Sequence, residues 1–228
     1  PITIDPTVTI TPPTPTGNFY GPMTNWWGFQ RHASLYLNSE ITSFGMITAL
    51  EYNRNTAGGN PANVPVTVHL KSTVENTLTG GNMWNDNYYT GGGELAFGGT
   101  HNVGSNLGWQ MITLSTPYVY ENGNLLVMVK DLYGGGGSTK YYNQSSTLAN
   151  RQTYFRQDSS DPGDGVSMSL EVSRLTELRI TYTPLVDCTG LPNESQTIAS
   201  TNTICAADPL TLSLTDVPAA SGIGIQWQ

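Results

Sequence analysis

The sequence is poor in charge. Lys, Arg, Asp and Glu make up 11% of its 228 residues, against about 25% in an ordinary globular chain. Basic residues are the scarcer sign: 9 Lys plus Arg face 17 Asp plus Glu, a formal net charge of −8. Nucleic-acid binding relies on a cationic footprint that releases counterions, so this balance argues against it. An anionic membrane surface is disfavoured on the same ground. No apolar run approaches the roughly 18–20 residues of a spanning helix, which argues against membrane insertion. Cysteine is nearly absent, with only Cys188 and Cys205, so the body of the chain does not rely on disulfides. Helical periodicity is missing because 25 Gly and 14 Pro interrupt every long window.

Catalytic signatures are missing too. There is no G-x-S-x-G elbow, no G-x-x-x-x-G-K phosphate loop and no H-E-x-x-H zinc helix. Gly134 to Lys140 is a glycine-rich hairpin turn without phosphate-loop spacing. His32, His69 and His101 are far apart in sequence and form no metal triad by spacing. Glu40, Glu51, Glu75, Glu94, Glu121 and Glu171 offer carboxylates for glycoside hydrolysis, but that chemistry needs a specific pair about 5–9.5 Å apart. The expectation is a protein that is not an enzyme and needs no cofactor.

Thr, Ser, Asn and Gly supply the polar surface instead of Lys and Glu. Thr favours strands, whereas Asn and Gly favour turns. Short alternating runs dominate: Val8–Thr11, Ser34–Leu37, Ile47–Tyr52, Val66–Lys71, Gly93–Gly98, Gly108–Leu114, Gln152–Arg156 and Leu178–Thr183. Leu125–Val129, within the run Leu125–Lys130, is apolar on both faces and reads as a central strand. Gly- and Asn-rich turns separate these runs. The pattern predicts an all-β fold, a two-sheet antiparallel jelly-roll-like sandwich.

Residues 1–16 hold an N-terminal strand segment and a Pro/Thr stretch, with Val8–Ile10 as first strand of the sandwich. Residues 17–183 form the sandwich and 184–197 a linker. Residues 198–228 begin a small, incomplete β domain, because the chain stops inside the alternating run Gly224–Gln228. A start at Pro1 without Met or a signal-peptide pattern reads as a processed product or fragment. The N-terminal alternation of Ile2, Ile4, Val8 and Ile10 suits pairing with its own sheet, or self-association through a neighbour's edge.

Aromatic side chains in Asn/Gly-rich loops are the leading functional candidates. A sugar ring presents an apolar face that stacks on an aromatic plate, while Asn and Asp bond its hydroxyls. Trp84, Asn85, Asp86, Tyr88 and Tyr89 supply both partners within one loop, and Trp26 and Trp27 add a second aromatic pair. The alternative is that these aromatics plug the ends of the sandwich. Asp158, Asp161 and Asp164 lie three apart in a Gly-containing loop, a candidate structural calcium site or a solvated turn. Cys188 and Cys205 are either free thiols or a disulfide, the latter favoured by an extracellular setting.

The order of motifs carries a resemblance. Trp26-Trp27-Gly28-Phe29-Gln30-Arg31-His32-Ala33-Ser34-Leu35-Tyr36 leads to Glu40-Ile41, Gly45–Leu50 and Val66–Thr73. After a polar stretch come Gly108–Leu114 and Tyr120–Asp131. This arrangement resembles the jelly-roll-like surface domain of large secreted Bacteroidota adhesins and peptidases, exported by the type IX route. The tail resembles the start of an immunoglobulin-like domain. It carries Cys188-Thr189-Gly190-Leu191-Pro192, then Thr203-Ile204-Cys205, then Ile225-Gln226-Trp227-Gln228, with Trp227 as the buried tryptophan of such a domain. The resemblance implies an extracellular or cell-surface module for adhesion or a structural stalk. Its partners would be glycans or neighbouring surface-protein domains. A carbohydrate-binding module, or an ancillary domain of a secreted peptidase or glycosidase, is the alternative.

Overall fold

The computed structural model describes residues 7–10, 15–23, 27–55, 62–103, 106–135, 141–145, 148–183, 197–199 and 212–214. The chain divides into two compact units, residues 1–185 and 186–228. The first unit contains β1 (Thr7–Ile10), β2 (Pro15–Tyr20), β3 (Phe29–Tyr36), β4 (Gly45–Arg54) and β5 (Ala62–Thr73). These are followed by β6 (Glu94–Val103), β7 (Gly108–Tyr120), β8 (Asn124–Asp131), β9 (Tyr141–Ser145) and β10 (Gln152–Gln157). Short strands β11 (Ser169–Glu171) and β12 (Leu175–Thr176) precede β13 (Leu178–Thr183). In the second unit, β14 (Thr197–Ala199) pairs antiparallel with β15 (Leu212–Leu214). Among the described residues, one three-residue 3-10 turn, Thr90–Gly92, is the only helical element.

Two antiparallel sheets pack face to face as a β-sandwich, which bears out the all-β expectation. One sheet runs β11-β10-β3-β8-β5-β6. In the other, β1-β13-β4-β7 lie side by side, and β9 joins at the end of β4, flanked by β12 and β2. Alternation decides what faces inward. Val64, Val66, Val68 and Leu70 of β5 meet Leu125, Val127 and Val129 of β8 in the main core, with Leu50, Ile112 and Ile180 from the opposite sheet. Each such side chain, fully buried, stabilises the fold by about 1.5–3 kcal/mol. Thr7–Ile10 pairs with β13 of its own sheet.

Sequence and structure differ at β2 and β9. Residues 11–16 read as a stiff crossing, yet Pro15–Tyr20 is a strand paired with Tyr141–Ser145. Pro15 and Gly17 hide β2 from local propensity, and a partner more than a hundred residues away supplies the ladder instead. A second difference is a third layer. Leu126 and Met128 of β8, and Ala33 and Leu35 of β3, point away from the sandwich core. They pack under a cap built from the β5–β6 connection and the stretch before β11, through Leu78, Trp84, Tyr89, Val166 and Met168. The two-faced apolarity of β8 therefore reflects a sheet covered on both sides.

Candidate functional site

The loop predicted to carry a stacking surface is the centre of that cap. Asp86 organises it: its carboxylate accepts from the N–H groups of Met83 (3.0 Å), Tyr88 (2.8 Å) and Tyr89 (3.2 Å). This is the short Asp-to-backbone bonding that favours Asp in turns. The carbonyl of Trp84 accepts from the Thr90 N–H at 3.1 Å and the Thr90 hydroxyl at 2.7 Å. Gly91 and Gly92 lie so close to the loop that an added Cβ would stand 2.6 Å from the Asn85 carbonyl oxygen and 2.5 Å from that of Asn87. Trp84 (1% exposed) and Tyr89 (0%) are core residues, their rings stacked with centroids 6.2 Å apart. Neither can offer a face to a ligand, which corrects that part of the expectation. The apolar sheet face beneath them draws both rings inward.

What the loop leaves outside is a cleft. Lys71, Thr73, Glu75, Leu78, Asn87, Tyr88 and Leu126 line an open cavity of about 270 Å³ between the end of β5 and the cap. Its floor is apolar, because Leu78 and Leu126 are each 2% exposed. Its rim is polar, with exposed Glu75 and Asn87. Half-buried Tyr88 is set edge-on against Tyr89, with centroids 4.9 Å apart. Both walls are fixed. Lys71 Nζ donates to the carbonyls of Asn87 (2.5 Å) and Tyr88 (3.4 Å). Asn124 Nδ2 donates to the Glu75 carbonyl at 2.8 Å, and the Leu78 N–H donates to the Asn150 carbonyl at 2.6 Å. A preformed cleft with an apolar floor and a few convergent polar groups is the usual form of a small-ligand site. Asn85, also a predicted contact, is exposed on the same loop, and Asp86 is committed to the loop's backbone.

In the Asp158/Asp161/Asp164 loop, two of the three carboxylates meet cations of the chain itself. The Arg31 guanidinium, fully buried, donates to Asp161 Oδ1 at 2.7 Å and to the Gly163 carbonyl at 2.9 Å. Lys130 Nζ stands 2.6 Å from Asp164 Oδ1. Asp158 Oδ1 accepts from the Gly28 N–H at 3.2 Å. Each carboxylate thus has its own partner, and among the described residues no group of three or more metal-ligating side chains converges. Partial burial works to raise Asp161. The Arg31 hydrogen bond, the Gly163 N–H and the charges of Arg31 and Lys130 together outweigh it and hold the carboxyl below its usual range. Added calcium is therefore expected to leave the melting temperature unchanged. Asp161→Asn is expected to lower stability by about 1–2 kcal/mol, read from denaturant midpoints.

Several carboxylates considered for hydrolysis are held in ion pairs. Glu40 meets Arg151 at 2.6 Å, Glu51 meets Arg179 at 3.3 Å and Glu171 meets Arg174 at 3.4 Å. Trp27 is half-buried, with its indole Nε1 enclosed and without a hydrogen-bond partner. Trp26, Cys188, Cys205 and Trp227 lie outside the described residues.

Trp109 is not among the loop aromatics that the sequence singles out. It alternates with Ile112 and Leu114 and so points away from the core, on the sheet face that carries exposed Met111. Its signal was present in Gly108–Leu114, where Trp109, Met111 and Thr113 fall on one parity and Gln110, Ile112 and Leu114 on the other. Compared with family models, curated proteins and solved structures, the chain matches none. Among the described residues, no helix is long and apolar enough to cross a membrane.

Proposed function

We propose that the chain is a non-catalytic binding module of a secreted or cell-surface bacterial protein, serving adhesion, with the cleft beside the cap as its ligand surface. The observation that carries this reading is the cleft itself, preformed and lined by Lys71, Thr73, Glu75, Asn87 and Tyr88 over Leu78 and Leu126. Its volume of about 270 Å³ sits just below the roughly 300–1,000 Å³ of drug-sized pockets, which suits one terminal sugar ring. Half-buried Tyr88, which lines the cleft, would meet the ring's C–H face. Glu75 would accept from hydroxyls, and the Asn87 amide and Thr73 hydroxyl would do either. The charged lining is Lys71 and Glu75. Lys71 is tied to loop carbonyls, which supports recognition over bond cleavage. The resemblance of residues 8–183 to surface-protein jelly rolls supports the extracellular setting.

A glycan array probed with the full chain tests the proposal. Wild type is expected to retain glycans sharing one terminal residue. Glu75→Gln and Asn87→Ala, both at exposed positions, are expected to weaken that binding about tenfold while leaving the melting temperature in place. Retention of no glycan by the wild type, or equal binding by all three proteins, would remove the cleft as the site.

A further inference from the structure

The outer faces of the two sheets are treated differently. The β3–β8 face lies under the cap, whereas the β1-β13-β4-β7 face carries Met111 at 56% exposure and Val119 at 49%. Register and alternation order this face in rows. Thr9, Arg179, Glu51 and Met111 run straight across four strands. Asn53 and Trp109 pair in the adjacent row, and Thr183, Met46 and Val119 close the far end. The Arg179 guanidinium stacks on the half-buried Trp109 ring, 4.0 Å from its centroid. Arg179 is itself fixed by Glu51 Oε2 at 3.3 Å and Thr9 Oγ1 at 3.4 Å. One indole is thus locked on the sheet face beside a neutralised ion pair, exposed Thr9 and half-buried Asn53.

We infer that this face is a second binding surface, for a neutral oligosaccharide chain lying across the strands at Trp109. The size of the patch selects this occupant. Four strands about 4.8 Å apart, over some seven residues of about 3.4 Å, cover on the order of 500 Å². A stable protein interface needs about 800 Å² per partner. The paired charges of Arg179 and Glu51 leave the patch neutral, in a chain whose formal net charge is −8. A neutral polyol is thereby favoured over an anionic ligand, which the rest of the chain would repel. Thr9, Asn53, Glu51 and Arg179 offer donors and acceptors along the row to successive hydroxyls, while Trp109 and Met111 meet the apolar ring faces. The open sheet accommodates several rings, whereas the cleft has room for one.

The test uses the full chain and soluble six-residue oligomers of glucose, xylose, mannose and N-acetylglucosamine, titrated calorimetrically. Wild type is expected to bind at least one, with affinity rising from the disaccharide to the hexamer. Trp109→Ala is expected to weaken that binding on the order of tenfold, and Trp109→Phe by less. Glu75→Gln, in the cleft, should leave the length-dependent binding unchanged, so failure of one surface is distinguishable from failure of the other. Three results would overturn the inference: no binding by wild type to any hexamer, equal binding by Trp109→Ala, or a shift from dimer to monomer in sedimentation of Trp109→Ala. The last result would make the face a protein interface.

Discussion

Trp84→Ala is expected to cost about 3–5 kcal/mol of stability, and at roughly 2–4 °C per kcal/mol for a chain of this size, to lower the melting temperature by about 6–20 °C. The reason is the position of the indole. At 1% exposure it fills the cap between Tyr89 and a sheet face made of Ala33, Leu35, Leu126 and Met128. Removing it opens a cavity that the surrounding backbone cannot readily close. That backbone is held by the bond from the Trp84 N–H to the Val166 carbonyl (2.8 Å) and by the Thr90 bonds to the Trp84 carbonyl. Trp84→Phe keeps most of the volume and is expected to cost clearly less. The measurement is thermal and denaturant unfolding of the three proteins. A Trp84→Ala variant as stable as wild type would mean that the indole is not core and would restore it as a ligand contact.

The cap also links stability to recognition. The loop that buries Trp84 and Tyr89 sets Tyr88 and Asn87 at the rim of the cleft. A cap that loosens would move one cleft wall while the β5 wall stays in place. Trp84→Ala should therefore weaken glycan binding indirectly and in proportion to its loss of fold, whereas Glu75→Gln should weaken binding alone. The comparison separates a supporting residue from a contacting one.

How much of this was legible depended on where each residue's partner lay. Local alternation was enough for Leu178–Thr183, and for the cores of β4, β5 and β7, because one parity is apolar along each, and β8 stood out by being apolar on both. It failed for β3, whose Gln30-Arg31-His32 looks solvated and is buried. Arg31 is tolerated there only because Asp161, 130 residues away, folds onto it. Such a pairing has no local signature, and the same carboxylates in isolation looked like a metal loop. The aromatic cluster Trp84-Tyr88-Tyr89 was visible, but which of its rings faces solvent was decided by the outer face of β8. Its apolarity on both sides was read as a two-sided core strand without identifying the cap. The cleft draws on β5, the cap and β8 and exists only after they meet.

Acid should destabilise the chain steeply, and His32 is the main cause. The ring lies on the inner face of β3, 1% exposed, with the Ser34 hydroxyl 3.5 Å from Nδ1. Gly21 is packed so closely that an added Cβ would stand 2.9 Å from the imidazole. Burial, and after it the charge of Arg156, pushes the His32 pKa down to about 3. In the unfolded chain the imidazole takes up a proton near pH 6.5. Below that pH the unfolded state binds a proton that the folded state refuses, so stability falls by about 1.4 kcal/mol per pH unit until the folded ring titrates. From about pH 7 to about pH 5 the loss from His32 alone is about 2 kcal/mol. His69 and His101 are shifted down by burial as well and add in the same direction. Asp161, held below its usual range, adds its share only at lower pH, as its carboxylate is neutralised. Denaturant midpoints across this range, for wild type and His32→Gln, measure the effect. The variant is expected to be weaker at neutral pH but flatter with pH, losing about one proton from the slope. An unchanged slope would show that His32 already carries its proton in the folded protein, and that the interior between β3 and the opposite sheet admits charge.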